Sequence, residues 1–179
     1  MKRRRAIGTM LLTIVLSMFA IGMGADTPVK ANPDPLEAFR LDGSWRMVVT
    51  ATNPAGLQPF DSLMTFNVGG GLVETRRLYL VDLAPNTLLE TPGAGNWRRV
   101  GFTNTFDITF IFLLQGAPGN PVLNGAPFGT DKIRWKATLN PRTGELKGPW
   151  MSTLTDNNGN QLFSASGILT GKRIPIEPL

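Results

Sequence analysis

Glu74 and Arg76 are the chemistry-bearing pair that spacing singles out, because residues two apart on an extended strand point the same way. Leu72 and Leu78 share that face, so an acid and a guanidinium would sit among apolar side chains and could anchor a ligand's head group. On a wet face the same pair is a solvated ion pair, worth about 0–1 kcal/mol. Arg98 and Arg99, directly behind Trp97, offer either a grip on an anion or an ordinary charged surface. Asp107 and Thr109 lie on the less apolar side of the run 105–115, where an acid beside an apolar cavity would serve as a proton acceptor.

Two absences limit that chemistry. The chain has no histidine, which removes the usual general base of Ser-His and Cys-His systems and the commonest zinc ligand. It also has no cysteine, so neither a disulfide nor a lipidated thiol can hold or anchor it. No catalytic constellation, metal-ligand set or cofactor motif is evident, and the expectation is no cofactor and no metal.

The elements that would position these residues are strands. Leu41 to Ala51 alternates, with Trp45, Met47, Val49 and Ala51 on one face. Phe60 to Val68 follows, with Phe60, Ser62, Met64 and Phe66 together, and Gly69-Gly70-Gly71 supplies a hairpin turn. Leu72 to Val81 returns, and 82–95 reads as a long loop whose only order signals are Pro85-Asn86 and Pro92-Gly93. A strand from Trp97 to about Thr103 leads into Thr105 to Gln115, which carries Phe106, Ile108, Phe110, Phe112 and Leu114 on one face. Ile111 and Leu113 make its end apolar on both faces, which implies an outer cover there.

After a second loop at 116–130, three strands form a clear meander: 132–140, 145–155 and 161–173. Asn158-Gly159 is a strong hairpin signal, and Pro149 implies a bulge or edge-like position in the middle strand. Ile133, Trp135, Ala137 and Leu139 oppose Lys132, Arg134, Lys136 and Thr138, so one side is core and the other is water. The total predicts an all-β fold of about eight antiparallel strands in an up-and-down barrel, which removes exposed edges by closing on itself. Such a barrel can hold one small ligand or be filled by side chains. Phe60, Phe66, Phe106 and Phe110, with Phe112, Trp135 and Trp150, would line a pocket in the first case, with Glu74 and Arg76 as its polar pair. The loops 82–95 and 116–130 would then gate its mouth. In the second case the same rings are plain core.

Gly43-Ser44-Trp45 on the first strand, the eight-strand meander, and Lys172-Arg173 at the end of the last strand resemble the calycin superfamily of lipocalin-like barrels. The resemblance implies that Trp45 packs across the closed end and that Arg173 lies over its ring, both as structural residues. An Arg over an indole gains cation–π attraction and covers the core edge. The sequence departs from the family in lacking its common disulfide, a clear helix after the eighth strand, and its later motifs.

The segment 1–31 reads as a secretory signal peptide, with Lys2-Arg3-Arg4-Arg5 before an apolar run to Met23 and cleavage expected after Gly24 or, preferably, Ala31. An uncleaved anchor is the alternative reading. A Pro-rich lead-in (32–40), a barrel domain (41–174) and a tail (175–179) follow. Of the 18 basic and 13 acidic residues, the leader holds five and one, leaving 13 and 12, so the net charge of +5 gives no argument for nucleic acid. Stable insertion of the mature barrel in a membrane is not expected either, since its Lys/Arg/Lys strand face would meet lipid at high cost. These readings converge on an exported barrel, periplasmic or extracellular, that binds a small apolar ligand without catalysis. The alternatives are an isomerase or cyclase using a pocket carboxylate, as in allene-oxide-cyclase-like barrels, and a filled barrel whose exterior serves a partner.

Overall fold

The computed structural model describes residues 39–76, 81–83, 86–119 and 124–176, with the backbone alone at 81–83 and at 86 and 87. The leader, the lead-in as far as residue 38 and the end of the tail lie outside the described residues. Ten strands form one antiparallel sheet: β1 (Gly43–Asn53), β2 (Phe60–Phe66), β3 (Gly71–Arg76), β4 (Val81–Leu83), β5 (Asn86–Glu90), β6 (Gly93–Arg99), β7 (Thr105–Gly116), β8 (Pro127–Asn140), β9 (Glu145–Asp156) and β10 (Gln161–Arg173). The last strand pairs back onto the first and β7 pairs with β8, so the sheet closes into a barrel.

The ring has eight positions because two of them are interrupted strands. Along one edge of β7, β5 pairs with residues 114–116 and β6 with residues 106–111. Beyond them β4 pairs with β5 and β3 with β6. The expected loop 82–95 is therefore mostly strand. Pro92 has no N–H to give to a ladder, which breaks β5 from β6, while Thr91 keeps its hold on β7 through its backbone N–H to the Leu113 carbonyl, 3.0 Å. β4 and β5, three and five residues long and ending at such a break, carry too little alternation to read. Likewise β8 begins at Pro127, inside the expected loop 116–130.

Alternation sorts the side chains as the pleat requires. In β7, Phe106, Ile108, Phe110, Phe112 and Leu114 are buried, whereas Ile111 and Leu113 are exposed at 39% and 60%. The outer cover expected over those two residues is absent among the described residues. Lys132, Arg134 and Lys136 face water on β8. Pro149 pairs with Ile168 of β10, but the β8–β9 ladder skips from Trp135↔Trp150 to Thr138↔Lys147. The missing proline N–H opens that ladder without ending the strand.

One end of the barrel is closed. Trp45 is 1% exposed and donates its indole N–H to the Leu41 carbonyl at 2.8 Å. Arg173 stands directly across from it in the β1–β10 register, its guanidinium carbon 4.8 Å from the ring centroid. That guanidinium also donates to the Asp42 and Arg40 carbonyls, so it ties the lead-in to the last strand. Phe66, Trp97 and Phe106 continue the plug as edge-to-face rings, with centroids 6.4 and 5.8 Å apart.

Candidate functional site

Toward the opposite end the interior is open and holds a cavity of about 470 Å³. Its wall is chiefly apolar, built by Val49 and Met64 below and by Phe110, Ile133 and Leu169 around. Among the described residues its rim is furnished by Pro54, Leu57 and Gln58 of the β1–β2 connection, with Phe163 of β10 beside them. That connection thus stands where a gate would.

Four charged groups converge in this apolar setting. Glu74 is 1% exposed, Glu90 4% and Asp131 7%. Arg76 reaches across the interior to both of the latter. Its Nε and Nη2 donate to the two Glu90 carboxylate oxygens at 2.8 and 2.7 Å, and Nη2 lies 3.5 Å from Asp131 Oδ2. The Phe112 ring lies under the guanidinium, 4.0 Å from centroid to carbon. Gly93 makes that seat possible, since a Cβ there would come within 2.8 Å of the Phe112 ring.

Serine hydroxyls complete the cluster. Ser62 on β2 donates to Glu74 Oε1, and Ser152 on β9 donates to Asp131 Oδ1 at 2.5 Å. Burial lifts Glu74 to about 7, against the opposing pull of Arg76 and the Ser62 hydroxyl and with added push from Glu90 and Asp131. Burial raises Glu90 and Asp131 too, opposed chiefly by Arg76 at Glu90 and by the Ser152 hydroxyl at Asp131. With one guanidinium among three acids, holding a proton on Glu74 is the less costly way to bury the group.

Two polar atoms of the wall are left over. Glu74 Oε2 is buried without a hydrogen-bond partner, and so is Trp150 Nε1. The other three tryptophans all spend their indole N–H on a carbonyl: Trp45 on Leu41, Trp97 on Asn67 at 3.1 Å and Trp135 on Gly148 at 3.1 Å. Trp150, a residue of the cavity wall, is the one tryptophan whose indole donor is left unused. Orphaned buried polar groups are uncommon because each forgoes about 1–3 kcal/mol, and in a pocket they mark where a ligand's own polar atoms would go.

Of the residues singled out from sequence, Phe60, Glu74, Arg76, Phe110 and Trp150 line the cavity. Phe112 supports Arg76 from behind, and Phe66, Phe106 and Trp135 are buried core away from the cavity surface. Asp107 is on the outer face, where it pairs with Arg98 at 3.3 Å and Lys136 at 3.7 Å, so the proton acceptor expected there is not in the interior. Arg99 lies at the closed end, over the Phe106 ring and bonded to the Phe39 carbonyl. Glu90, Asp131, Ser62 and Ser152 belong to the site and were not singled out. Extending the alternation of Ile133 and Trp135 back by one step places Asp131 inside, and Ser62 already shares the inward face of Phe60 and Met64. Glu90 gives no such signal, because it sits beside the Thr91-Pro92 break.

The fold and site together define a closed eight-stranded antiparallel barrel, plugged at one end and hollow at the other, compatible with a calycin-like architecture. No protein-family model, curated protein or solved structure matches the chain.

Proposed function

We propose that this protein is an exported, lipocalin-like barrel that binds a small molecule with an apolar body in its interior. The carrying observation is the cavity itself. Its volume of about 470 Å³ lies within the roughly 300–1,000 Å³ range of small-molecule sites, and its wall is apolar with a few convergent polar groups. A barrel serving only as a filled scaffold has no reason to keep such a void or to leave two polar atoms unpaired beside it. The lipocalin kinship is supported by the stacking of Arg173 on Trp45, and export by the pattern of residues 1–31. An apolar fluorescent probe should bind one per chain. Ala165→Trp, which puts a large ring into the cavity from β10, should abolish that binding while leaving the folded state intact by circular dichroism. Probe binding equally tight in this variant would place the probe elsewhere and count against the interior site.

A second reading rests on a specific observation. Glu74 combines a free carboxylate oxygen, apolar surroundings and a value of about 7, which are the properties of a general acid or base operating at neutral pH. In this reading the cavity isomerises or cyclises its ligand. Incubation in heavy water with a cavity-sized ketone should then exchange the hydrogens next to the carbonyl faster than buffer alone, and Glu74→Gln should remove the excess. No exchange above buffer in the wild type eliminates this reading.

A further inference from the structure

The charge balance and the wall chemistry of the cavity select a head group, if the interior is a binding site as proposed above. Arg76 cannot serve an anionic ligand. Its guanidinium is already bidentate to Glu90, within 3.5 Å of Asp131, and stacked on Phe112. A ligand carboxylate would enter a space that holds three acids and, among the described residues lining it, no second cation. A neutral hydroxyl satisfies an acceptor but leaves the surplus of negative charge where it was. A cation answers both needs.

The wall agrees. Phe60, Phe110, Trp150 and Phe163 bring four aromatic rings to one cavity, and the faces of such rings attract ammonium groups, most strongly where water is excluded. Glu74 Oε2 is a buried acceptor with no donor, on a residue that is 1% exposed and belongs to that wall. We propose that the cavity binds a protonated amine carried on an apolar body, with an N–H donated to Glu74 Oε2 and the cationic nitrogen held among the aromatic rings. Trp150 Nε1 supplies the complementary donor and favours ligands that also carry an oxygen acceptor on the apolar body.

This arrangement makes amine binding depend on pH. Glu74 is faced by Ser62 from β2, Arg76 from its own strand, Glu90 from β5 and Asp131 from β8, and it must be ionised to pair with an ammonium. An alkyl ammonium keeps its charge over the whole range from pH 5 to 8, so the dependence reports on the protein's groups.

Three ligands of one chain length separate the possibilities: octylamine, octanol and octanoate, each titrated against the full chain by calorimetry and by displacement of the apolar probe. At pH 8 octylamine should bind at least about tenfold more tightly than either of the others. By pH 5 its affinity should fall by about tenfold or more, because ligand binding must then expel a proton, while octanol changes little. Glu74→Gln should bring octylamine at pH 8 down to the affinity that octanol has for the wild type and flatten the pH profile of octylamine. Octanol or octanoate binding as tightly as octylamine at pH 8 overturns the amine assignment alone, as does an amine preference that survives Glu74→Gln. Failure of all three ligands together with the probe overturns the interior binding site as well.

Discussion

Arg76→Leu should lower the stability of the barrel by roughly 3–5 kcal/mol at pH 8, the usual cost of removing one partner from a buried ion pair. Glu90 and Asp131 are then left as buried acids with no other cation paired to them among the described residues, and the stacking on Phe112 is lost. The effect can be read from the urea midpoint at unchanged slope. It should shrink as pH falls toward 4.5, because protonated carboxyls no longer need the guanidinium. A second change distinguishes charge from lost packing. Glu90→Gln in the Arg76→Leu background should recover part of the deficit, while Glu90→Gln alone should be destabilising, giving a coupling energy of the size seen for contacting groups, about 0.5–3 kcal/mol. Simple additivity of the two changes, with the deficit unchanged between pH 8 and pH 4.5, would show that Arg76 acts through its packing on Phe112 and not through its charge.

The legible parts of this molecule are those where one strand is long enough to state its own period. β7 has twelve residues and β8 fourteen, and their alternation alone separates core from surface. The pairing of Trp45 with Arg173 came from the resemblance to calycin barrels, and closure makes it physical by setting the last strand beside the first, so that residues 128 apart in the chain stand directly opposite in register. Glu74 and Arg76 were visible as a pair because i, i+2 spacing needs only one strand.

What they do could not be read from one strand. Their partners come from β2, β5, β7 and β8, and the roles were reassigned by the closure: Arg76 serves Glu90 and Asp131 over the Phe112 ring, and Glu74 keeps Ser62 and one free oxygen. The same limit holds for the rings. Phe106 and Phe110 are equivalent in the stripe of β7, but one lies in the plug and the other beside the cavity. That difference depends on how far along the barrel axis the plug extends, which Phe66 and Trp97 settle from two other strands.

Glu74→Gln should stabilise the protein at pH 8, by about 3 kcal/mol, and change little at pH 4.5 or below. The folded protein holds a proton on Glu74 up to about pH 7, whereas the unfolded chain releases it near the ordinary value of 4.5. Between those values the folded state binds the extra proton, so its stability is fully present below pH 4.5 and declines as pH rises to about 7. Each unit of difference corresponds to about 1.4 kcal/mol. Glutamine has the same shape and carries no charge to bury, and its amide can still accept from Ser62, so the variant escapes the loss. Wild type should therefore be more stable at pH 5 than at pH 8, with a shallower decline persisting in the variant from Glu90 and Asp131, which burial raises in the same direction. Thermal or urea unfolding of both proteins at half-unit steps from pH 4 to 8.5 measures the difference. A variant less stable than wild type at pH 8 would mean that Glu74 is ionised and compensated in the folded state. That result would leave the cavity intact but remove both the neutral-pH acid and the pH dependence of amine binding, since each needs a proton on Glu74 that leaves near pH 7.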